Sequence, residues 1–232
     1  MSRRIYPESD VIDIGSTMVQ PFMRRCTSYA ARQESVKQIR KKIRQAVDNR
    51  DFIRAIALLN RLMAKHTATA EDYSNRGLIH LWSGHPYKAI KDFDQAIALN
   101  PNLPAAYNNR ANYYAAQGAK ESAIADYERT IDLNPFHVRA RINRAITLRD
   151  LGRYDAALES LEEALLFRKM TGEIYAERGR TYHLRGDWNC AIADYRHALT
   201  FFDTHTHTTM PEMPSRRRQI MIWLNHLQTA AS

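Results

Sequence analysis

The chain has 232 residues, of which 44% are hydrophobic, and its two cysteines argue against a disulfide scaffold or a cysteine-ligated zinc site. No apolar run approaches the roughly 20 residues of a membrane-spanning helix, and acidic residues interrupt the N-terminal segment, which is unlike a secretion signal. We therefore expect a cytoplasmic protein. The formal net charge of +9 is concentrated at the ends, with +6 in residues 1–50 and +2 in residues 206–232. Basic ends of this kind attract acidic protein, anionic lipid or nucleic acid.

The first 30 residues mix apolar and polar side chains without a helical period. We expect residues 1–30 to form a flexible N-terminal arm. Two alternatives stay open: the arm folds onto a partner, or it occupies a groove of its own protein.

A basic amphipathic helix is predicted next, at VKQIRKKIRQAV, residues 36–47. Its apolar residues recur at helical spacing, with Arg40, Lys41, Lys42 and Arg44 beside or opposite them. It opens a degenerate helix pair over residues 31–69, and its apolar side is expected to pack on the following pair. Such a helix also suits a membrane surface or a phosphate backbone.

The sequence then repeats every 34 residues, in five repeats that begin at residues 36, 70, 104, 138 and 172. Alanine occupies position 20 of every repeat: Ala55, Ala89, Ala123, Ala157 and Ala191. Position 15 is Arg50 in repeat 1 and glycine in the other four, which predicts the end of a first helix. Asn-Pro at 100–101 and 134–135 ends a second helix. Because one hairpin cannot bury its apolar face alone, the pattern predicts a stacked all-α solenoid.

The period, the small residues at positions 8 and 20, the aromatic residues at position 24 and the phrase YKAIKDFDQAIALNP, residues 87–101, resemble the tetratricopeptide repeat (TPR) family. The resemblance covers residues 70–205 as four repeats and, with fewer matches, residues 36–69. It implies a right-handed solenoid of antiparallel helix pairs. Repeat 1 lacks glycine at positions 8 and 15, and Lys169 stands where a proline is expected in repeat 4. Both departures are expected to alter the joins between repeats and not the helices.

The segment after the last repeat is polar and contains prolines, so residues 206–215 are predicted to form a loop. Its His205–His207 pair, which begins just before it, is interpreted as part of a polar linker. A C-terminal helix over residues 216–232 follows, with Ser215 as the expected N-cap and Ile220, Trp223, Leu224 and Leu227 on one face. Because solenoids need terminal caps, we expect this helix to cover the last repeat.

A ladder of asparagines occupies position 6: Asn75, Asn109 and Asn143, followed by Glu177 in repeat 5. The family resemblance implies that this position faces the concave groove. An amide both donates and accepts hydrogen bonds, so the ladder could hold the backbone of an extended peptide. Asn108 and Asn112 add polar groups in the middle, and Glu177 is expected to make the far end acidic. A merely solvated face is the alternative.

Basic residues at the groove positions suggest how a peptide would be oriented. Arg40 and Arg44 occupy positions 5 and 9 of repeat 1, and Arg139 occupies position 2 of repeat 4. In chaperone-binding members of the family, similar residues clamp a C-terminal carboxylate. Ala105 and Asn109 stand at the third-repeat places of that clamp, so the match is partial and predicts only an acidic or C-terminal peptide end near Arg40 and Arg44.

Position 7 carries arginine in four repeats, and position 23 carries aspartate in three of them. The spacing predicts structural ion pairs from Arg76, Arg110 and Arg178 to Asp92, Asp126 and Asp194. Arg144 faces Ser160 at that spacing and is expected to turn to Glu159 or to solvent.

Catalytic signatures are missing from the sequence, which has no glycine-rich phosphate loop, nucleophile elbow or HExxH motif. We therefore expect no enzyme activity, no cofactor and no metal site. The favoured function is an adaptor or assembly factor that binds an extended segment of a partner protein. The alternatives are a nucleic-acid or ribosome-associated protein acting through its basic termini, and a homodimerising structural module, although a monomer is the expected state.

Overall fold

The computed structural model describes residues 35–65, 68–204 and 213–230, and every regular element in these ranges is an α-helix. In chain order the helices are α1 (Val36–Asp48), α2 (Phe52–Lys65), α3 (Ala70–Trp82), α4 (Pro86–Leu99), α5 (Pro104–Ala116), α6 (Lys120–Leu133), α7 (Val138–Arg149), α8 (Tyr154–Leu165), α9 (Thr171–Arg185), α10 (Trp188–Thr204) and α11 (Met213–Ala230). The arm predicted for residues 1–30 lies outside the described residues. So does the loop predicted for residues 206–215, except for its last three residues, which are helical.

The chain divides into two compact units, Met1–Leu58 and Leu59–Ser232. In the first unit the structure describes α1 and the beginning of α2. A capping box starts α1: the Ser35 hydroxyl accepts from the Gln38 backbone N–H, and the Gln38 side chain accepts from the Ser35 backbone N–H. Ile39 and Ala46 are buried, whereas the basic residues Arg40 and Arg44 are exposed.

The turn that follows α1 passes through Arg50, whose φ is 56°, in the left-handed region. At the same position of the later repeats the φ of Gly84, Gly118, Gly152 and Gly186 lies between 75° and 96°. Repeat 1 therefore ends its first helix in the same left-handed conformation, although the residue there has a side chain that disfavours it. Both helices of repeat 1 form, as expected.

The second unit is an all-α solenoid of helical hairpins. The pairs are α3–α4, α5–α6, α7–α8 and α9–α10, and each second helix packs against the first helix of the next hairpin. The first helices α3, α5, α7 and α9 also contact one another in series, and we call the side that they form the first-helix face.

Small residues bring the two helices of each hairpin together. A Cβ added to Gly77 would lie 2.7 Å from Phe93 Cε1, and one added to Gly179 would lie 2.8 Å from Tyr195 Cδ1. Both aromatic rings are fully buried. A small residue at position 8 thus packs against a large aromatic residue at position 24 in these two hairpins.

The join between repeats 4 and 5 is irregular, as the lysine in place of proline suggested. The second helix α8 ends at Leu165, and Arg168 and Met170 then adopt left-handed φ angles of 51° and 55°. The next helix α9 begins directly after Met170. Both helices of repeat 4 therefore form, as expected.

The ion pairs predicted within the hairpins are confirmed. The Nε atom of Arg76 lies 2.8 Å from a carboxylate oxygen of Asp92. The corresponding distance is 2.7 Å from Arg110 to Asp126 and also 2.7 Å from Arg178 to Asp194. A second guanidinium nitrogen of each arginine donates to the other oxygen of the same carboxylate. These are bidentate pairs, the strongest geometry for such contacts.

Each of these arginines also reaches back to position 25 of the preceding repeat, a contact that the sequence did not predict. Arg76 donates to Asn60 over 2.8 Å and Arg110 to Asp94 over 2.8 Å. Arg144 lies 3.0 Å from Glu128 and 3.4 Å from the Ser160 hydroxyl, so the expectation that it turns to Glu159 or to solvent is wrong. Arg178 approaches Glu162 to 3.9 Å. We call this series the arginine ladder.

The terminal helix α11 packs on α10 and covers repeat 5. Its predicted face is confirmed, since Ile220 and Leu227 are buried and Trp223 and Leu224 are half-buried. The Trp223 ring stacks on Tyr195 with centroids 5.8 Å apart. Because the helix begins at Met213, Ser215 lies inside it, and the expectation that Ser215 is the N-cap is wrong.

Candidate functional site

The asparagine ladder lies along the first-helix face, one residue in each of α3, α5 and α7. Asn75 is exposed, and Asn109 and Asn143 are half-buried. The two half-buried amides are held by hydrogen bonds to neighbouring repeats. Asn109 Nδ2 donates to the Ser74 hydroxyl over 3.1 Å, and Asn143 Nδ2 donates to Asn112 Oδ1 over 3.0 Å.

Tyr127, on the second helix of repeat 3, fixes the orientation of the Asn112 amide. Its hydroxyl donates to Asn112 Oδ1 over 2.7 Å. Burial raises the pKa of the Tyr127 phenol, and a weaker hydrogen bond from Asn143 opposes that shift. The phenol therefore stays protonated and remains a donor.

The remaining hydrogen-bonding capacity of these amides is available to a ligand. Among the described residues, none donates to the Oδ1 atoms of Asn109 and Asn143, and none accepts from Asn112 Nδ2. An amide oxygen has two lone pairs and an amide nitrogen two hydrogens. The middle of the first-helix face thus offers both acceptors and donors. Asn108 contributes less, because its Oδ1 is enclosed without a partner in the described part of the chain.

The basic residues expected to orient a peptide differ in their surroundings. Arg139 Nη1 lies 2.6 Å from Glu173 Oε2, and these two residues hold position 2 of successive repeats. Half of the Arg139 side chain remains exposed. Arg40 and Arg44 are exposed on α1, in the first compact unit.

Glu177 does not form the acidic end of a groove, which corrects the expectation for this residue. Only 3% of it is exposed. Its Oε2 atom lies 2.6 Å from Arg149 Nη1, and its Oε1 atom lies 2.9 Å from Arg216 Nη2 of α11. The carboxylate is therefore neutralised within the protein.

Ser74, Tyr127, Arg149 and Arg216 take part in these contacts and were missed from the sequence. Arg149 stands at position 12 of its repeat. The family resemblance implies that this position faces the groove, so the sequence could have indicated Arg149 as a groove residue. Arg216 carried the other signal, because a positive charge in the first turn of a helix conflicts with the helix dipole.

The described residues contain no group of three or more histidine, cysteine or acidic side chains placed to hold a metal ion. Within the same ranges, no helix has both the length and the apolar character that crossing a membrane requires.

Several solved structures share this fold. The crystal structure of MamA matches with a TM-score of 0.64 at 19% identity, over 75% of this chain and 99% of MamA. TTC0263, a thermophilic TPR protein from Thermus thermophilus, matches with a TM-score of 0.66 at 19% identity, over 81% and 100% of the two chains. A tetratricopeptide repeat protein from Parabacteroides merdae gives 0.64 at 19%, over 82% and 73%. At this identity the likeness concerns the fold alone.

The sequence itself identifies the family. No curated protein matches the chain. Family models described as tetratricopeptide repeat match residues 70–103, 108–172 and 142–204, which together make up more than half of its length. These matches coincide with the stacked hairpins α3 to α10. The chain therefore belongs to the tetratricopeptide repeat family, whose fold is that of a protein-interaction scaffold.

Proposed function

We propose that the chain is a non-enzymatic adaptor or assembly factor that binds an extended segment of a partner protein along the first-helix face. The observation that carries the proposal is the asparagine ladder, in which Asn75, Asn109 and Asn143 recur at one residue per repeat. An extended peptide presents its N–H and C=O groups at regular intervals. A series of amides can satisfy those groups whatever side chains the peptide carries.

The hydrogen bonds between repeats support this proposal. Asn109 is tied to Ser74, and Asn143 to Asn112, before any ligand arrives. Binding then costs less side-chain entropy, because the amides that meet the peptide are already oriented. The oxygens of Asn109 and Asn143 are left for peptide N–H groups.

The arginines give the proposed segment a preferred chemistry. Arg139 is held by an exposed ion pair with Glu173, and such pairs are weak in water. An acidic residue of the partner can therefore exchange with Glu173. Arg40 and Arg44 remain proposed contacts for an acidic or C-terminal end of the segment. The exposed free thiol of Cys190 is consistent with the cytoplasmic location that we infer.

The test begins with capture of partners from cells of the native organism and their identification by mass spectrometry. The affinity of the purified partner is then measured for the wild-type chain and for the triple variant Asn75→Ala, Asn109→Ala, Asn143→Ala. We expect a loss of at least about tenfold, which corresponds to about 1.4 kcal/mol. The matched control is Asn102→Ala, Asn189→Ala, Asn225→Ala, which removes three exposed amides outside the ladder. Unchanged affinity in the first variant would disprove the proposal.

Salt separates this function from contact with nucleic acid through the basic termini. A groove that holds peptide backbone predicts a shallow dependence of affinity on ionic strength. Phosphate contacts predict a steep one, because each neutralised phosphate releases a counterion. A steep dependence that disappears when Arg217 and Arg218 are replaced by alanine would favour the alternative, and Arg216 is kept because it pairs with Glu177.

A further inference from the structure

Repeat 4 has an arginine where three other repeats have a tyrosine. Position 4 is Tyr73, Tyr107 and Tyr175 in repeats 2, 3 and 5, and each ring lies under the arginine at position 7 of its own repeat. Position 4 of repeat 4 is Arg141, which is only 8% exposed. A charged guanidinium thus occupies an aromatic position of the solenoid.

The guanidinium of Arg141 lacks a hydrogen-bond acceptor among the described residues. Its Nε and Nη1 atoms are enclosed without a partner. The nearest carboxylate oxygen, Glu163 Oε2, is 4.0 Å from Nη1, beyond hydrogen-bond distance. Ser160 stands where repeats 2, 3 and 5 have aspartate, and its hydroxyl donates to the Arg141 backbone carbonyl over 3.2 Å.

An arginine side chain cannot lose its charge at physiological pH. Enclosing a charge without a hydrogen-bonded partner is unfavourable, and nearly all buried polar groups in proteins have partners. The other repeats show that tyrosine suits this position. The geometry therefore indicates an acceptor that lies outside the described residues.

Exposed apolar and basic residues lie next to Phe167, the aromatic residue that this arginine contacts. The Arg141 guanidinium lies 5.2 Å from the centre of the Phe167 ring, and Phe167 meets Phe136 edge to face with centroids 5.7 Å apart. Phe136 is 71% exposed, and Leu166, which adjoins Phe167 in the chain, is 80% exposed. The exposed Arg168 and Lys169 follow directly. We call these six residues the Arg141 patch.

We propose that the Arg141 patch binds a partner protein through an aspartate or glutamate side chain flanked by apolar residues. The carboxylate would accept from Nη2 of Arg141, because Nε and Nη1 are the enclosed atoms, and its apolar neighbours would cover Phe136 and Leu166. Arg168 and Lys169 make the surroundings favourable for an acidic segment.

The proposed site is separate from the asparagine ladder. Arg141 and Asn143 are two residues apart on α7, so they point to different sides of the helix. The Arg141 patch and the asparagine ladder are therefore separate proposed binding sites, and a result that disproves one site does not disprove the other.

The test uses the full chain labelled with ¹⁵N and two blocked peptides, acetyl-Gly-Leu-Asp-Ile-Gly-amide and its Asp→Asn counterpart. We expect the aspartate peptide to shift the Arg141 Nε–Hε signal with a dissociation constant of about 1 mM. The asparagine peptide is expected to bind at least about tenfold more weakly. Equal binding of the two peptides, or no shift at about 10 mM of the aspartate peptide, would overturn the proposal.

Arg141→Tyr is the matched variant, because tyrosine is the residue of three other repeats at this position. We expect it to fold, to unfold at a higher temperature than the wild type and to lose the response of the Phe136 and Leu166 amides to the aspartate peptide. The asparagine-ladder triple variant should keep that response. A lower unfolding temperature for Arg141→Tyr would show that the guanidinium is a structural requirement. A shift of the Arg141 signal by anionic lipid vesicles and not by peptide would assign the patch to a membrane surface. Either result overturns the proposal.

Discussion

Arg216, in the first turns of the terminal helix, lies 2.9 Å from the carboxylate of Glu177 in α9. The same carboxylate accepts from Arg149 in the preceding repeat over 2.6 Å. One buried acidic side chain thus joins repeat 4, repeat 5 and the cap. This explains why the asparagine ladder ends at repeat 5: the residue at position 6 there holds the end of the solenoid together.

Replacing Glu177 by alanine should destabilise the protein strongly. Arg149 is nearly as enclosed as Glu177, and removal of Glu177 leaves its charge with only the longer, 3.7 Å contact to Asp150. We expect the free energy of unfolding, measured by urea denaturation, to fall by roughly 3–5 kcal/mol. Glu173→Gln is the control, since Glu173 pairs with Arg139 near the surface and should change stability by less than about 1 kcal/mol. Similar losses in the two variants would contradict this account.

Ser160→Asp should stabilise repeat 4 by completing the arginine ladder. In the other repeats the corresponding aspartates are buried and receive two hydrogen bonds from arginine, whereas Arg144 has only the Ser160 hydroxyl at 3.4 Å there. We expect a gain of about 1 kcal/mol in the free energy of unfolding, the net contribution of an ordinary intramolecular hydrogen bond. Ser160→Asn, which adds size without charge, should give no such gain. A loss of stability in Ser160→Asp would show that the hairpin has no room for the pair.

Arg50→Gly should stabilise the first helix pair. Arg50 adopts a φ of 56°, a conformation that the other repeats give to glycine. A side chain at this φ has a steric cost that glycine avoids, and this gain exceeds the entropy cost of glycine. We expect the free energy of unfolding to rise by about 0.5–1 kcal/mol. Slower hydrogen exchange of the α1 amides would reveal the gain. The neighbouring Asn49 has a φ of −82°, so Asn49→Gly should make exchange faster.

Stability should fall as the pH drops below the ordinary histidine value of 6.5. Burial lowers the pKa of His80, His137 and His183 in the folded chain. The unfolded chain then binds more protons, so the stabilisation is complete above the ordinary pKa and is lost as the pH falls through the lowered ones. The His137 ring already accepts from the Ala140 backbone N–H, a bond that needs an unprotonated nitrogen.

His80→Tyr tests this pH dependence, because tyrosine stands at the same position in repeats 3 and 5. We expect the variant to lose less free energy of unfolding than the wild type between about pH 7 and pH 5. The two chains should respond alike above about pH 7. An identical loss in both at low pH would show that His80 takes no part.

The fold and half of the arginine ladder could be predicted from the sequence. A period of 34 residues with small residues at fixed positions specifies stacked hairpins, and the 16-residue spacing from Arg110 to Asp126 lies within one hairpin. The contact from Arg110 back to Asp94 depends on how one hairpin is staggered against the next. Periodicity alone does not contain that stagger.

The candidate site was predicted in position but not in detail. The asparagines do lie on the first-helix face, but their hydrogen bonds to Ser74 and Asn112 depend on rotamers that the spacing does not determine. Glu177 was misjudged because its partner Arg216 belongs to a helix outside the repeat. Arg141 was visible as a departure from tyrosine at position 4. Position 4 is not a groove position, so the groove residues predicted from the sequence did not include Arg141.

The arginine ladder has a consequence for how the protein comes apart. Each arginine of the ladder contacts residues of its own hairpin and of the preceding one. Unfolding of one hairpin therefore removes a partner from the neighbouring hairpin. The ladder thus adds to the nearest-neighbour coupling that makes a repeat array cooperative. The coupling is loosest where Arg178 stands 3.9 Å from Glu162, beside the irregular join of repeats 4 and 5. The Arg149–Glu177 pair reinforces that join, and it is better shielded from water than the Arg139–Glu173 pair, which also crosses it. Glu177 therefore couples repeat 5 and its cap to the rest of the array at the join where the contact of the arginine ladder is longest.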